Sequence, residues 1–271
     1  MTVSDLPLVS IVTPSFQQVD YLERALLSVL EQDYPRLEYI VIDGGSTDGS
    51  REILQRYAHR LAYWVSEPDL GQTEALNKGF SRATGDIFAW LNSDDALFPG
   101  TVRKAVEFLV SHAEIGMVYG GADYIDAEDR RIGRFPAAPT DYRRLRRGYV
   151  HIPQQSSFFR SRLWRMAGPL DPTYHFAMDY DLWVRIADLS PIAHVPEAWA
   201  GFRLHAGAKT LKDADRCWPE MIRIHFRDGG KPWSIIYAKY LVRRLTEPLW
   251  AERLRRRMRQ GEYPGPPWCR L

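Results

Sequence analysis

The sequence predicts an α/β fold with a Rossmann-like, largely parallel central sheet that is flanked by helices. Short apolar runs alternate with amphipathic helical patterns over the first 120 residues, as in parallel sheets whose strands are connected by helices. A length of 271 residues is enough to bury a large core. Polar clusters directly follow three of the apolar runs. Because ligands bind at the carboxyl ends of the strands in such sheets, these clusters are candidate binding residues.

Five of the apolar runs are rich in β-branched and aromatic residues, which favours strands. They cover residues 8–14, 37–42, 61–65, 87–91 and 117–120. Four helices are predicted between them. The first begins at Asp20, which has the spacing of a capping box with Glu23, and the others cover residues 50–59, 73–83 and 101–112. The pattern then predicts a helix near 181–187, a strand near 192–195 and two helices in 234–260 that separate near Pro248.

Composition excludes several classes of protein. No run of about 18 apolar residues is present, so no membrane-spanning helix is expected. The N-terminus lacks the basic and apolar segments of a signal peptide. The two cysteines, Cys217 and Cys269, have no metal-ligand spacing, which favours a reduced, cytoplasmic protein.

Charge is distributed unevenly along the chain. Residues 231–271 contain ten Lys/Arg and three Glu, whereas residues 1–230 contain 26 Lys/Arg and 31 Asp/Glu. The acidic body argues against a nucleic-acid groove, so no nucleic-acid partner is expected. The segment 234–260 repeats apolar residues at intervals of four among its arginines. This pattern is typical of a helix packed on the domain with a solvated basic face, or of an interfacial helix on an anionic membrane.

The polar cluster after the second predicted strand reads DGGSTDGS, residues 43–50. One interpretation is a glycine-rich turn with Asp48 or Ser50 as a helix cap. The other is a nucleotide pocket, in which the glycines allow close approach and Asp43 accepts hydrogen bonds from a base. The cluster contains neither a Walker GK[ST] nor a GxGxxG motif.

The cluster after the fourth predicted strand reads NSDD, residues 92–95. It is either a turn that precedes the next helix or a site for a divalent metal ion. Two carboxylates on one turn are hard oxygen ligands that suit Mg²⁺ or Mn²⁺ with a pyrophosphate. Two like charges this close repel unless a cation or hydrogen-bond donors offset them.

Two stretches in the second half carry further candidates. In HFAMDYDLWVRIA, residues 175–187, Asp181 is expected to cap a helix, with Asp179 in the preceding loop as a candidate general base. In GFRLHAGAKT, residues 201–210, His205 lies close in sequence to Arg203, Lys209 and Thr210. Such a histidine is either structural or a contact for phosphate or metal.

Taken together, these stretches resemble the family-2 glycosyltransferases with the GT-A fold. The resemblance covers roughly residues 7–210, and six stretches carry it in order: VSIVTPSFQQVDYLERALLSVLEQDYP, EYIVIDGGSTDGS, SEPDLGQTEALNKGFSRATGDIFAWLNSDD, QQSSFFRSRLWRMAGPLD, MDYDLWVRIA and FRLHAGAKT. It implies an inverting transfer of a sugar from a UDP- or dTDP-sugar to an acceptor hydroxyl. The expected setting is surface polysaccharide or glycolipid biosynthesis with a glycan or lipid-linked acceptor, in the cytoplasm or at the inner face of the plasma membrane.

The resemblance also implies roles by position. The nucleotide-binding residues would be Thr13, Pro14, Ser15, Asp43, Gly45, Asp69, Asn77, Lys78, Asn92, Ser93 and Asp94. Asp94, Asp95 and His205 would hold Mn²⁺ or Mg²⁺. Gln155 and Asp95 would lie near the transferred sugar and the acceptor, and Asp179 would be the general base. Residues 1–120 would then bind the nucleotide sugar, 121–230 would bind the acceptor and carry the base, and 231–271 would form a basic amphipathic helical tail.

Two residues depart from the family pattern. Asn92 stands where the family often has the first Asp of an Asp-X-Asp motif, and Met178 stands where many members have a Glu before the base. These departures motivate an alternative, a non-catalytic nucleotide-sugar-binding or scaffold protein. A sugar-nucleotide pyrophosphorylase is a further alternative, but the N-terminus has VTPSFQQ in place of the Gly-rich, basic phosphate loop such enzymes need.

Overall fold

The computed structural model describes most of the chain. The described residues are 5–148, 150–205, 207–208, 214–242 and 244–246. The α/β class is confirmed, and in the described residues nine strands form one mixed sheet. The strands are β1 (Val9–Ser15), β2 (Leu37–Asp43), β3 (Tyr63–Ser66), β4 (Ile87–Trp90), β5 (Ala96–Leu97), β6 (Met117–Ile125), β7 (Arg131–Arg134), β8 (Ser157–Arg160) and β9 (Ile192–Arg203).

The sheet has a parallel half and a mixed half. Its order is β3-β2-β1-β4-β8-β6-β9-β5, with β7 paired to β6. Strands β3, β2, β1 and β4 are mutually parallel, and β8 runs antiparallel between β4 and β6. All five strands predicted in the first 120 residues are therefore confirmed, and their carboxyl ends meet at one edge.

Helices cover both faces of this sheet. They are α1 (Val19–Leu30), α2 (Ser50–Tyr57), α3 (Gln72–Arg82), α4 (Thr101–Ser111), α5 (Tyr142–Leu145), α6 (Ser161–Ala167), α7 (Met178–Leu189), α8 (Ala214–Arg227) and α9, of which residues 235–242 and 244–246 are described. None of the helices in the described part of the chain is long and apolar enough to cross a membrane.

Alternation along the strands divides the core into two layers. In β4, Ile87 and Ala89 join the cluster under α1 and α4, whereas Phe88 and Trp90 join the cluster under α3 and α7. Helix α3 lies so close to β1 that a Cβ on Gly79 would be 2.4 Å from Val12 Cγ1. This close approach explains a glycine inside a helix.

The predicted capping box of α1 is wrong. The helix begins at Val19, so Asp20 lies inside its first turn and not at the N-cap. The N–H of Val19 instead donates to Asp48 (2.9 Å), and the N–H of Gln18 donates to Ser50 (3.3 Å). Asp48 also accepts from the N–H of Ser50 at the start of α2 (3.0 Å), so one carboxylate serves two helix ends.

The predicted cap of the later helix is also wrong. Helix α7 begins at Met178, which places Asp179 in its first turn and not in the preceding loop. Asp181 is fully buried and pairs with Arg185 (2.7 Å) and Arg227. A buried carboxylate is tolerated because both guanidinium groups offset its charge. This ion pair ties α7 to α8.

The chain after α7 forms an additional apolar layer. Trp218 and Ile222 of α8 pack against Ile236 of α9 in a small cluster of their own. Met221 and Ile224, on the same helix α8, join the main core. The first of the two predicted tail helices thus exists through residue 246, and the prediction for 247–260 lies outside the described residues.

Candidate active site

The loop after β2 is organised by the carboxylate of Asp43. Its oxygens accept from the N–H groups of Gly45 (3.2 Å) and Ser46 (2.8 Å), and from the hydroxyls of Ser46 (2.6 Å) and Ser66 (2.6 Å). Gly45 has φ +84°, in the region that favours glycine. Asp43 is fully buried. A nucleotide base that bonded to Asp43, as predicted, would bind a carboxylate that already accepts four hydrogen bonds.

The end of β1 contributes buried hydroxyl groups to the same edge. Thr13 Oγ1 lies 2.9 Å from the hydroxyl of Tyr39, and Pro14 is buried beside it. Ser15 is 4% exposed, and its Oγ has no hydrogen-bond partner among the described residues. A buried hydroxyl without a partner is costly, so Ser15 is poised to bond a ligand.

Asp69 lies against the glycines of the β2 loop. A Cβ built on Gly44 would be 3.0 Å from either carboxylate oxygen of Asp69, so a larger residue there would have to displace the Asp69 carboxylate. Burial raises the pKa of Asp69, although the N–H of Gly71 donates to it at 2.8 Å. The predicted donor loop therefore closes directly over the residues after β2.

Two other predicted donor residues have protein partners. Asn77 exchanges two hydrogen bonds of 2.9 Å with the backbone of Leu170. Lys78 pairs with Glu67. A contact between Asn77 and the nucleotide stays a prediction. The hydrogen bonds to Leu170 do not favour it, because they already occupy the side-chain amide.

Asp94 and His205 form the candidate metal-binding pair. Asp94 Oδ2 lies 3.2 Å from His205 Nε2, and the two side chains are 20% and 9% exposed. Neighbouring ligands of an octahedral ion with bonds of about 2.1 Å lie about 3.0 Å apart, which this separation matches. In the described residues, no group of three or more His, Cys, Asp or Glu is arranged to hold a metal ion. A carboxylate and an imidazole are ligand types that Mn²⁺ accepts, so these two residues would hold such an ion, although at 3.2 Å they also form a direct hydrogen bond.

Asp95 points into the protein rather than towards a ligand. It is 1% exposed, and it accepts hydrogen bonds from the N–H of Arg203 (2.9 Å) and the side-chain amides of Gln155 (3.2 Å) and Asn92 (3.3 Å). Burial, and then the negative charge of Asp94, raise the pKa of Asp95 well above its ordinary range. Ser93 is also buried. Asp95 is therefore better suited to hold Asn92 and Gln155 in place than to bind the metal directly.

Arg203 holds the acidic turn, residues 92–95, in place. Its guanidinium donates to the carbonyls of Asp94 and Asp126, both at 2.7 Å, and it pairs with Asp129. The ring of Tyr21 packs against both Arg203 (5.1 Å) and His205 (4.5 Å). The sequence placed Arg203 near this site, but nothing in the sequence pattern indicated Tyr21 or Asp129.

A cleft of about 480 Å³ opens beside this turn. Among the described residues that line it, Asp179 is the only carboxylate, whereas Arg147, His151, His175 and Lys239 contribute basic groups. Trp90 lines it as well, and its indole N–H is buried without a hydrogen-bond partner in the described part of the chain. Helices α8 and α9 contribute mainly apolar side chains to the lining, among them Trp218, Met221 and Ile236, together with His225 and Lys239.

Asn92 and Gln155 connect the acidic turn to this cleft. Both line the cleft and both donate to Asp95. Asn92 also accepts from Gln72 (2.7 Å) and donates to Gln154 (3.2 Å). Of the predicted site residues, Asn92, Gln155 and Asp179 thus line one cleft, whereas Asp94, Asp95 and His205 are not among its described lining residues.

The turn that carries Asp179 is held by a residue that sequence reasoning missed. Glu220 of α8 accepts hydrogen bonds from the three N–H groups that precede α7: His175 (3.0 Å), Phe176 (2.8 Å) and Ala177 (2.8 Å). A carboxylate at a helix N-terminus is favoured by the helix dipole. Glu220 therefore fixes where α7 begins, and with it the position of Asp179.

Comparison with known proteins gives consistent matches. The profile of "Glycosyl transferase family 2" matches residues 10–177. The uncharacterized glycosyltransferase Rv1514c of Mycobacterium tuberculosis (strain ATCC 25618 / H37Rv) is 38% identical over 184 residues, 67% of this chain and 69% of that protein. The putative teichuronic acid biosynthesis glycosyltransferase TuaG of Bacillus subtilis (strain 168) is 40% identical over 110 residues, 40% of this chain and 44% of TuaG.

Solved structures resemble the chain as well. S. aureus TarS 1–349 in complex with UDP-GlcNAc has a TM-score of 0.69 at 16% identity, over 86% of this chain and 71% of that one. The mannosyltransferase PcManGT from Pyrobaculum calidifontis, in complex with GDP-Man and Mn²⁺, has a TM-score of 0.65 at 22% identity, over 97% of this chain and 78% of that one. At these identities the likeness shows a shared fold.

Proposed function

Because the chain belongs to glycosyl transferase family 2 and has the GT-A fold, we propose that it is a metal-dependent, inverting glycosyltransferase that moves one sugar from a UDP- or dTDP-sugar to an acceptor hydroxyl. The observation that carries this proposal is that Asn92 lines the same cleft as Asp179, the one carboxylate among the described lining residues, and stands in the same turn as Asp94, which pairs with His205. A group for the departing nucleotide and a group for the incoming hydroxyl are both needed for such a transfer.

The donor would lie over the carboxyl ends of β1, β2 and β4. Ser15 offers a hydroxyl that has no partner among the described residues, and the loop after Asp43 lies at the same edge. Asp94 and His205 would hold Mn²⁺ or Mg²⁺ between protein and diphosphate. When bound, that ion neutralises charge that develops on the leaving nucleoside diphosphate. Asp95, which is buried and fully hydrogen-bonded, keeps Asn92 and Gln155 turned towards the sugar.

Asp179 would act on the acceptor. As the acceptor oxygen forms its bond to the anomeric carbon, the bond from that carbon to the diphosphate oxygen breaks, and the hydroxyl proton moves to the Asp179 carboxylate. A hydroxyl is a weak nucleophile at neutral pH, so a base within hydrogen-bond reach lowers the barrier. Attack from the face opposite the leaving group inverts the configuration of the sugar.

The acceptor is proposed to be a growing surface polysaccharide or glycolipid. Support comes from TuaG, whose name assigns it to teichuronic acid biosynthesis and which matches 40% of this chain. The apolar outer walls of the cleft also suit an acceptor that is not purely sugar.

The test is release of nucleoside diphosphate by the full chain with a panel of UDP-, dTDP- and GDP-sugars, with Mn²⁺, Mg²⁺ or a chelator. Asp179→Asn is expected to lower kcat by at least about a hundredfold with little change in nucleotide binding. Asp94→Asn is expected to weaken Mn²⁺-dependent UDP binding by at least about tenfold. If Asp179→Asn kept full turnover, Asp179 would not be the general base. Tight nucleotide-sugar binding without transfer to any acceptor would favour the alternative of a non-catalytic binding protein.

A further inference from the structure

Helix α9 and the turn before it line one side of the cleft and also expose apolar side chains. Trp233 is 81% exposed, Ile235 69%, Val242 61% and Leu245 82%, and Leu241 is exposed next to them. These five side chains are called the 233–245 face below. The opposite side of the same helix, which includes Ile236 and Tyr240, packs on α8.

This face is continuous with the mouth of the cleft. Trp233 and Ile235 are strongly exposed, yet both also line the cleft, as does Lys239. The face and the cleft therefore share Trp233 and Ile235, with the cation of Lys239 beside them. Asp179 lines the same cleft.

The charge of residues 231–246 favours one kind of partner for this face. Residues 231–246 contain Lys231, Lys239, Arg243 and Arg244 and no Asp or Glu. A second copy of the chain would bring an equally basic segment against it, and residues 247–271 are also basic, with six Lys/Arg and three Glu. Like charges at an apolar contact repel. An anionic lipid bilayer supplies both the apolar interior and the opposite charge.

We propose that the 233–245 face docks onto an anionic membrane surface and that the cleft receives the lipid-linked end of its acceptor directly from the bilayer. The docking surface stands on its own observations, while the delivery of acceptor rests on the proposed transferase function. Trp233 at the rim would lie at the headgroup level, where indole rings are favoured. The lipid part would follow the apolar walls and leave the acceptor hydroxyl near Asp179.

The experiment is co-sedimentation of the full chain with vesicles of phosphatidylcholine alone or mixed with phosphatidylglycerol, at low and high salt. The test variant is Val242→Ser/Leu245→Ser, since neither residue lines the cleft. The matched control is Val110→Ser/Met166→Ser, which changes two exposed apolar side chains on α4 and α6. Binding is expected on the phosphatidylglycerol vesicles, and the test variant is expected to lower the partition coefficient by about tenfold or more. Lys231→Gln/Arg244→Gln is expected to lower it by about thirtyfold at low salt.

The proposal would be overturned if the Val242→Ser/Leu245→Ser variant bound the vesicles as tightly as the wild type does. It would also be overturned if the wild type bound equally well to vesicles with and without phosphatidylglycerol. A dimeric wild type together with a monomeric variant would overturn it as well, since a second copy of the chain would then cover the face. Turnover with a water-soluble acceptor separates the two proposals. If the variant keeps that turnover but loses transfer to acceptor in vesicles, docking is supported. If no acceptor is ever glycosylated while vesicles still bind, only the transferase function fails.

Discussion

Glu220→Gln is the substitution that best tests how the fold positions the base. Glu220 lies on α8, and its two oxygens accept the N–H groups of His175, Phe176 and Ala177 at the start of α7. Glutamine has the same shape but only one acceptor oxygen and no charge. Either the bond from His175 or the pair of bonds from Phe176 and Ala177 is therefore lost, and an NH₂ group then faces an N–H.

The size of the effect follows from these three bonds. Hydrogen bonds to a charged acceptor contribute about 1.5–3 kcal/mol each, and one or two are lost. Water recovers part of this, because Glu220 is only half-buried, so about 2–4 kcal/mol is expected. Loosening the first turn of α7 displaces Asp179, and a shift of about 1 Å in a reacting group costs about a hundredfold in rate. We expect kcat to fall by roughly 10- to 100-fold.

The assay is steady-state transfer with thermal unfolding of the same samples. The donor KM is expected to stay within about twofold, because the donor-side residues lie on other strand ends, whereas kcat falls. Glu31→Gln is the matched control, since it removes one carboxylate at the exposed end of α1. A lowered Tm with wild-type kcat would refute the positioning role and leave Glu220 a purely structural residue.

Two further predictions concern stability. Gly79→Ala places a Cβ 2.4 Å from Val12 Cγ1. Although alanine favours helices, this clash is expected to lower the free energy of unfolding, measured with a chemical denaturant, by about 1–3 kcal/mol. Any gain in stability would contradict the close packing of α3 on β1. Burial acts to raise the pKa of Asp48, but hydrogen bonds from Val19 and Ser50 outweigh it and lower that pKa below its ordinary 3.8. The stability this provides is present above the unfolded pKa and lost as pH falls through the lowered folded pKa. Asp48→Asn should therefore cost about 1 kcal/mol at neutral pH and progressively less below about pH 4, whereas a pH-independent difference in unfolding free energy would count against it.

The first half of the fold could be predicted because its signals are local. Each strand from β1 to β4 is a short apolar run bounded by turn residues, and the helices between them have clear amphipathic faces. The start of α1 could not be predicted, because Asp48 and Ser50, which bond its first N–H groups, lie about thirty residues away. Strand β9 was predicted only to 195, because Pro196 and Glu197 interrupt its pattern. The structure accommodates them in an irregularity between the pairs Tyr119–His194 and Gly121–Ala198.

The candidate site was predictable in its residue types but not in its orientations. The two carboxylates of the acidic turn are equivalent in sequence, yet Asp94 faces His205 while Asp95 turns inward to Arg203 and Gln155. That choice depends on donors from β9 and from the turn before β8, which only the sheet order brings together. Glu220 and Tyr21 gave no signal in the sequence, because each acts through a tertiary contact.

The two departures from the family pattern have different physical consequences. Asn92 replaces a charge with an amide that both donates and accepts, and the structure uses this: it donates to Asp95 and Gln154 and accepts from Gln72. Met178 is 6% exposed, and its sulfur accepts a hydrogen bond from Thr73 Oγ1 at 2.9 Å. A glutamate there would be buried without a cation, at a high cost in desolvation. Glu220 of α8 brings a carboxylate to the same turn, where it is only partly buried and has three backbone N–H partners. An acidic group close to the base is thus supplied by another helix, α8, and because Trp218 and Ile222 of α8 pack on Ile236 of α9, that helix connects the turn of Asp179 to the element that we propose faces the membrane.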